Sequence, residues 1–271
     1  WRQPIGQIRP ACFLQLKSRL IRLMLPLGAW SLIYLAIRAS INPDINWIRM
    51  ALGAFIAPLS YHLWFLYALI GLYLCLPLVG PAIRSASPRQ LYYGLGLWVI
   101  ASGVIPALEL VAGLKSPIEL STVAGFMGYM VLGHVLAKIP RPDQKFTLAA
   151  VLLIIVGYAA TVFGTAFITV QQGIFFEWFY GYLSPNVMLF SAGAFVLLRV
   201  AFEGRKHILI SKFSDLSFGI YLCHVAVLMV AETTLEARGW WIIPYAVMTF
   251  MISATGVFFL RRIGAGRLLA P

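Results

Sequence analysis

Apolar residues fill this chain in eight long blocks, separated by short polar segments. The blocks cover about residues 20–37, 62–79, 91–111, 120–137, 146–168, 186–202, 217–235 and 241–260. Each approaches the roughly 20 mostly apolar residues that a helix needs to cross the hydrocarbon core of a bilayer. Each block is continuous, whereas a strand of a membrane barrel alternates apolar and polar positions over about ten residues. The pattern predicts an all-α, polytopic transmembrane helix bundle of about eight spans, with residues 1–271 forming one membrane-embedded domain.

Composition sharpens this picture. Hydrophobic residues make up 61% of the chain and charged residues only 11%, against about 25% charged in an ordinary soluble domain. So few charges cannot coat a globule, so a soluble enzyme is excluded. The net charge of +12 then reads as basic loops at a membrane surface rather than a nucleic-acid footprint. With the eight blocks as spans, 17 of the 21 Lys and Arg fall on one side, leaving Arg38, Arg49, Lys115 and Arg238 on the other. Cytoplasmic loops carry the basic excess, so both ends of the chain are expected in the cytoplasm. Three cysteines, Cys12, Cys75 and Cys223, cannot form a disulfide scaffold or a CxxC metal site. No signal peptide is recognisable near the start, and no internal repeat of the kind that builds many transporters.

Ionisable side chains at membrane depth are costly to bury and mark candidate sites. His224 lies seven residues into the seventh block. Ser217, Tyr221 and His224 are spaced by four and three and share one helix face. That face offers catalysis or substrate contact; the competing reading is interhelical hydrogen bonding, which membrane bundles also use. His62, within Tyr61-His62-Leu63-Trp64-Phe65-Leu66-Tyr67, opens the second block. It reads either as part of an aromatic belt or as a polar group at the outer mouth of a cavity. His134 follows small residues that favour helix packing, and His207 lies in a basic loop. Arg19 and Arg22, three apart, point the same way. They read as membrane anchors or as a phosphate clamp, since the guanidinium fork matches phosphate oxygens. No Ser–His–Asp pattern, P-loop, dinucleotide fingerprint or zinc spacing is visible.

Arg19-Leu20-Ile21-Arg22 with Pro26 and Trp30, then His62 to Tyr67, then Ser217-Phe218-Gly219-Ile220-Tyr221-Leu222-Cys223-His224, occur in this order. Together they resemble the acyltransferase-3 family of bacterial integral membrane acyltransferases, and within it the type that O-acetylates enterobacterial common antigen. Residues 175–185 and 261–271 are similar as well, so the resemblance covers essentially the whole chain. It implies a ten-helix core. The first two family helices are then expected to be missing ahead of residue 1, with residues 1–19 leading to the third. The family's first helix carries an Arg, ten residues and a His. Here the positions eleven before the four His are Ala51, Val123, Val196 and Phe213, so that motif has no match.

The resemblance implies transfer of an acyl group, acetyl by expectation, from cytoplasmic acetyl-CoA to a hydroxyl of a cell-envelope glycan or lipid-linked sugar at the bacterial inner membrane. The general-base role goes chiefly to the first-helix His. His224, Tyr221 and His62 are the catalytic candidates within these residues. His224 and Tyr221 would line a buried tunnel, and His62 with Trp64 would shape the acceptor side. Arg19, Arg22, Trp64, Tyr67 and Ser217 are the substrate-binding candidates, with the two arginines on coenzyme A phosphates. The expected partners are the bilayer, acyl-CoA and the acceptor; no metal, bound cofactor or nucleic acid is expected. Two other classes compete: a glycolipid transporter or flippase, and a catalytically inactive remnant of the acyltransferase. The transporter should carry acids in mid-helix for ion coupling, and the sequence places none there.

Overall fold

The computed structural model of the protein describes residues 10–41, 46–54, 57–113, 115–116, 125–140, 142–204, 208–234, 241–263 and 266–270. Among these the chain is helical and contains no strand. The reason is the solvent: in hydrocarbon a backbone N–H or C=O has no water partner, and a helix satisfies these groups within one segment. The order is α1 (Pro10–Ile41), α2 (Trp47–Gly53), a 3-10 turn (Tyr61–Leu63) running into α3 (Trp64–Ser85), α4 (Pro88–Val99), a π-helical turn (Ile100–Val104), and α5 (Ile105–Ala112). It continues with α6 (Met127–Lys138), α7 (Gln144–Gln172), a 3-10 turn (Trp178–Tyr180), α8 (Pro185–Phe202), α9 (Ile208–Thr234), α10 (Ile242–Leu260) and α11 (Gly266–Leu269).

Seven stretches among the described residues are long and apolar enough to span a bilayer: Leu16–Ile41, Tyr61–Ser85, Pro88–Ala112, Gln144–Gln172, Trp178–Phe202, Phe213–Glu232 and Ile242–Leu260. The protein is a multi-span membrane protein. Seven of the eight expected blocks coincide with these spans. The block at 120–137 overlaps the 12-residue α6, while residues 117–124 lie outside the described residues. His207 lies outside them too. Helices run further than the apolar blocks because Lys and Arg are good helix formers whose heads reach water past an apolar stem. Thus α1 carries Lys17, Arg19 and Arg22 within it. The seventh block begins nine residues early, at Ile208 rather than 217, which places Ser217 well inside the helix.

Local chemistry sets several boundaries. Ser87 and Gln90 form a reciprocal capping box at the start of α4, and the Asp143 side chain accepts from Phe146 N to open α7. Pro106 has no N–H and its ring crowds the carbonyl four residues before it. The π-helical turn Ile100–Val104 lies just upstream and absorbs that conflict.

Two compact units emerge. One comprises residues 79–206. Its firmest element pair is α7 with α8, held by close backbone approach. A Cβ on Gly157 would meet Asn186 O at 2.5 Å, and one on Gly193 would meet Ala150 O at 2.4 Å. Small residues let membrane helices approach this closely. Asn186 Nδ2 donates to Thr161 Oγ1 at 2.7 Å and also to Phe179 O. Arg199 Nη1 donates to Leu136 O and Ile139 O at 2.9 and 2.7 Å. It thereby caps the last carbonyls of α6, while its Nε pairs with Glu203 at 3.0 Å.

The other unit comprises residues 1–78 and 207–271. Helices α9 and α10 pack antiparallel: Gly219 faces Val257, and one turn on the Cys223 thiol faces Ser253 O. Leu27, Trp30, Tyr34, Leu63, Leu66, Leu222 and Val257 form its core. Helix α11 closes one end of this core, where Trp30 Nε1 donates to Leu269 O at 2.8 Å. Ala270 is buried there, and Arg261 Nε donates to its carbonyl at 2.9 Å.

Overpacking the α7–α8 contact should be costly. Gly193→Val is expected to destabilise the protein by about 1–3 kcal/mol, whereas Gly96→Ala, with nothing within 4 Å of its new methyl, should be neutral or mildly stabilising. Thermal melting of both variants in the same detergent checks this.

Candidate functional site

The histidines expected to matter converge in the unit of residues 1–78 and 207–271. His62 is on the 3-10 turn that precedes α3, and His224 is on α9. Their ring centroids are 5.1 Å apart at an interplanar angle of 71°. Tyr221, one helical turn before His224, stands 5.5 Å from the His62 ring and 5.9 Å from the His224 ring. Tyr34 of α1 closes the cluster, 5.2 Å from His62. Three chain segments remote in sequence therefore meet at one pair of imidazoles.

Depth follows from the flanking helices. Helix α1 runs seven residues past Tyr34 to Ile41, and α9 runs ten past His224 to Thr234. At 1.5 Å per residue these are about 10 and 15 Å of further helix. The start of α3 is thus recessed. The segment before it enters the unit, with Leu59 8% and Ser60 3% exposed, and His62 itself is 5% exposed.

Each ring is fixed by a specific bond. His224 Nδ1 lies 2.7 Å from Tyr221 O. A carbonyl only accepts, so Nδ1 carries the proton, and in the neutral ring Nε2 keeps its lone pair. His62 Nδ1 shares a hydrogen bond of 3.1 Å with Ser60 Oγ. The His62 ring lies beside the Leu222 carbonyl, and its buried Nε2 has no well-formed hydrogen bond among the described residues. Tyr221 Oη donates to the His62 backbone carbonyl, tying α9 to the start of α3. The Tyr221 phenol is therefore a strut for His62.

The remaining expected residues lie around this cluster or away from it. Trp64 is half-buried, its ring 6.0 Å from Phe65, and Phe65 stands 5.9 Å from Tyr221. Tyr67 Oη donates to Ala54 O at 2.5 Å, linking α3 to the end of α2. Ser217 is exposed and its Oγ donates to Ser214 O at 2.7 Å, within its own helix turn. The structure does not bring it into the cluster. Ser217 keeps the shared face with Tyr221 and His224 along the continuous α9, but at its level that face is exposed. Arg19 and Arg22 are exposed on α1, 15 and 12 residues before Tyr34, about 22 and 18 Å along the helix. The Arg19 guanidinium lies 5.7 Å from the Tyr73 ring centroid. His134 is half-buried on α6 and lies in the other unit. Among the described residues no three His, Cys, Asp or Glu side chains gather as metal ligands do.

Sequence reasoning missed Tyr34 and Ser60. Tyr34 carried a weak signal, since it follows Trp30 by four residues in an apolar helix, a spacing that shares a face. Ser60 carried none, because its role depends on where the loop before α3 folds.

A family model for an acyltransferase domain matches residues 7–262. The chain belongs to this acyltransferase family. The motifs around Arg19, His62 and His224 all fall inside the matched span, so membership agrees with the resemblance they carry. No curated protein and no solved structure matches the chain. In this acyltransferase a buried His62 and a half-buried His224 thus form a pair, with His224 Nδ1 held by a carbonyl and His62 Nδ1 by a serine hydroxyl.

Tyr221→Phe keeps the ring but removes the bond to the His62 carbonyl. It should destabilise the protein by about 0.6 kcal/mol and by no more than about 1.7 kcal/mol, the average and the maximum measured for hydrogen bonds between membrane helices. Ser217→Ala should change stability by less than about 0.5 kcal/mol. Unfolding of both variants in bilayer discs measures the difference.

Proposed function

We propose that this protein is an O-acyltransferase that moves an acyl group, acetyl by preference, from cytoplasmic acyl-CoA to a hydroxyl of a cell-envelope glycan or lipid-linked sugar. Membership of the acyltransferase family supplies the reaction class. The observation that carries the reading further is the His62–His224 pair at 5.1 Å, recessed among α1, α3 and α9.

Acyl transfer to an alcohol needs a proton acceptor. The resemblance gives that role chiefly to a first-helix His; among the described residues His224 Nε2 is the group available for it, because Nδ1 is committed to Tyr221 O. In this reading the acceptor O–H gives its proton to His224 Nε2 as its oxygen attacks the thioester carbonyl carbon. The C–S bond breaks, and the departing thiolate takes the proton from the imidazolium. A positioned base of this kind contributes about 10²–10⁴ in rate. His62, one ring away, orients the reacting groups.

Arg19 and Arg22 hold the coenzyme A phosphates. Their place on α1, about 18–22 Å from Tyr34 by helix rise, leaves the length of an extended pantetheine arm between the phosphates and the imidazoles. The basic excess on the arginine side supports a cytoplasmic position for that end, with Trp64 and Tyr67 on the acceptor side of a bacterial inner membrane in this reading.

His224→Ala should lower O-acetylation of a glycan acceptor by about 10²–10⁴ at equal folded protein. Unchanged acetylation would remove the base from the mechanism. Glycolipid movement without acyl-CoA would replace the reaction with transport. Arg19→Gln with Arg22→Gln should raise KM for acyl-CoA about tenfold or more while kcat stays within about twofold, as for an interaction used equally in ground and transition states. Steady-state kinetics at varied acyl-CoA separates the two effects.

A further inference from the structure

Tyr34 is fully buried in the core of its unit, at 0% exposure. Its phenol oxygen makes two hydrogen bonds to one helix: it donates to Leu222 O at 2.8 Å and accepts from Ala226 N at 3.1 Å. Leu222 and Ala226 are four apart, so this carbonyl and this N–H are the two ends of one rung of the α9 backbone ladder. The phenol shares that rung, and the rung brackets His224.

An ordinary helix satisfies both of those groups without help. Without the hydroxyl, this carbonyl and this N–H can pair with each other along the helix, so neither requires it. Nor is it needed to fill space, since phenylalanine has the same ring and avoids the cost of desolvating a hydroxyl. What the hydroxyl adds is position. It pins one turn of α9 against α1, and that turn carries both His224 and the Tyr221 carbonyl that holds its Nδ1. The Tyr34 ring meets the His62 ring edge-on at 5.2 Å. A single side chain from α1 thus touches one imidazole through its ring and fixes the turn of the other through its oxygen.

We infer that Tyr34 is a positioning residue of the acyltransferase: by sharing the Leu222–Ala226 rung it holds His224 in the Nδ1–H tautomer, with Nε2 turned to the reaction. The kinetic part of this inference rests on the acyl-transfer reading above. The tautomer part does not.

The test uses the whole protein in bilayer discs, labelled with ¹⁵N-histidine, with His224 assigned by the loss of its signals in His224→Gln. In the wild type, the neutral form of His224 should show a protonated Nδ1 and an unprotonated Nε2. The opposite tautomer there would overturn the inference before any variant is made. In Tyr34→Phe the two His224 nitrogens should move toward each other as both tautomers are populated. The acyl-transfer kcat should fall on the order of 10²-fold, as expected when a reacting group is misplaced by about 1 Å, while KM for acyl-CoA changes by less than about threefold. Trp30→Phe, which removes the bond to Leu269 O on the same helix, serves as the packing control. It should lower the melting temperature without moving the His224 tautomer. A Tyr34→Phe protein with wild-type kcat and wild-type His224 shifts would overturn the inference. A tautomer shift in Tyr34→Phe, in a protein whose wild type transfers no acyl group, would sustain the positioning role and overturn the proposed reaction instead.

Discussion

A backbone carbonyl has two lone pairs, and a helix uses one of them. In a membrane any lone pair left over is a scarce acceptor in surroundings that offer no water, and this protein uses such carbonyls repeatedly, within helices and at their ends. Tyr34 donates to Leu222 O, His224 to Tyr221 O and Tyr221 to His62 O. Trp30 donates to Leu269 O, Trp98 to Gly125 O, and Arg199 to Leu136 O and Ile139 O. Every one of these bonds ties a polar side chain to the main chain of another segment or another turn. A hydroxyl, indole or imidazole that must enter hydrocarbon is thereby satisfied, and its direction is set by a rigid element rather than by a mobile side chain.

That constraint shapes the imidazole pair. A histidine in water exchanges tautomers freely. Here one nitrogen of each ring is committed, His224 Nδ1 to a carbonyl and His62 Nδ1 to the Ser60 hydroxyl. The remaining nitrogens are left to define what the site does. The neighbouring tyrosines support the rings rather than compete with them, because both phenols spend their protons on carbonyls. A ring already held in one tautomer need not reorganise when its other nitrogen is used.

Packing follows a different rule. The protein exposes many large apolar side chains, Leu32, Leu78 and Val170 among them, as a lipid-facing surface requires. Helices therefore gain nothing from hiding apolar area from lipid, and they associate where backbones come close. Gly157 and Gly193 mark that contact for α7 and α8, and Gly219 marks it for α9 against α10. The same helices that look uniformly apolar in sequence have one narrow protein-facing stripe, and glycine is its sign.

Seven of the eight expected spans and the family were legible in the amino-acid sequence. Each depends on properties that add along the chain: apolar length, and short motifs around Arg19, His62 and His224. Helix ends were less legible, because charged helix formers extend α1 and α9 beyond their apolar blocks. The tertiary structure alone decided which polar groups meet. It joined His62 to His224 across 162 positions of sequence, left Ser217 bonded to its own turn, and brought in Tyr34 and Ser60. Composition and periodicity report the environment of each residue separately, whereas a hydrogen bond between segments depends on the depth and rotation of two helices at once. Only packing fixes those.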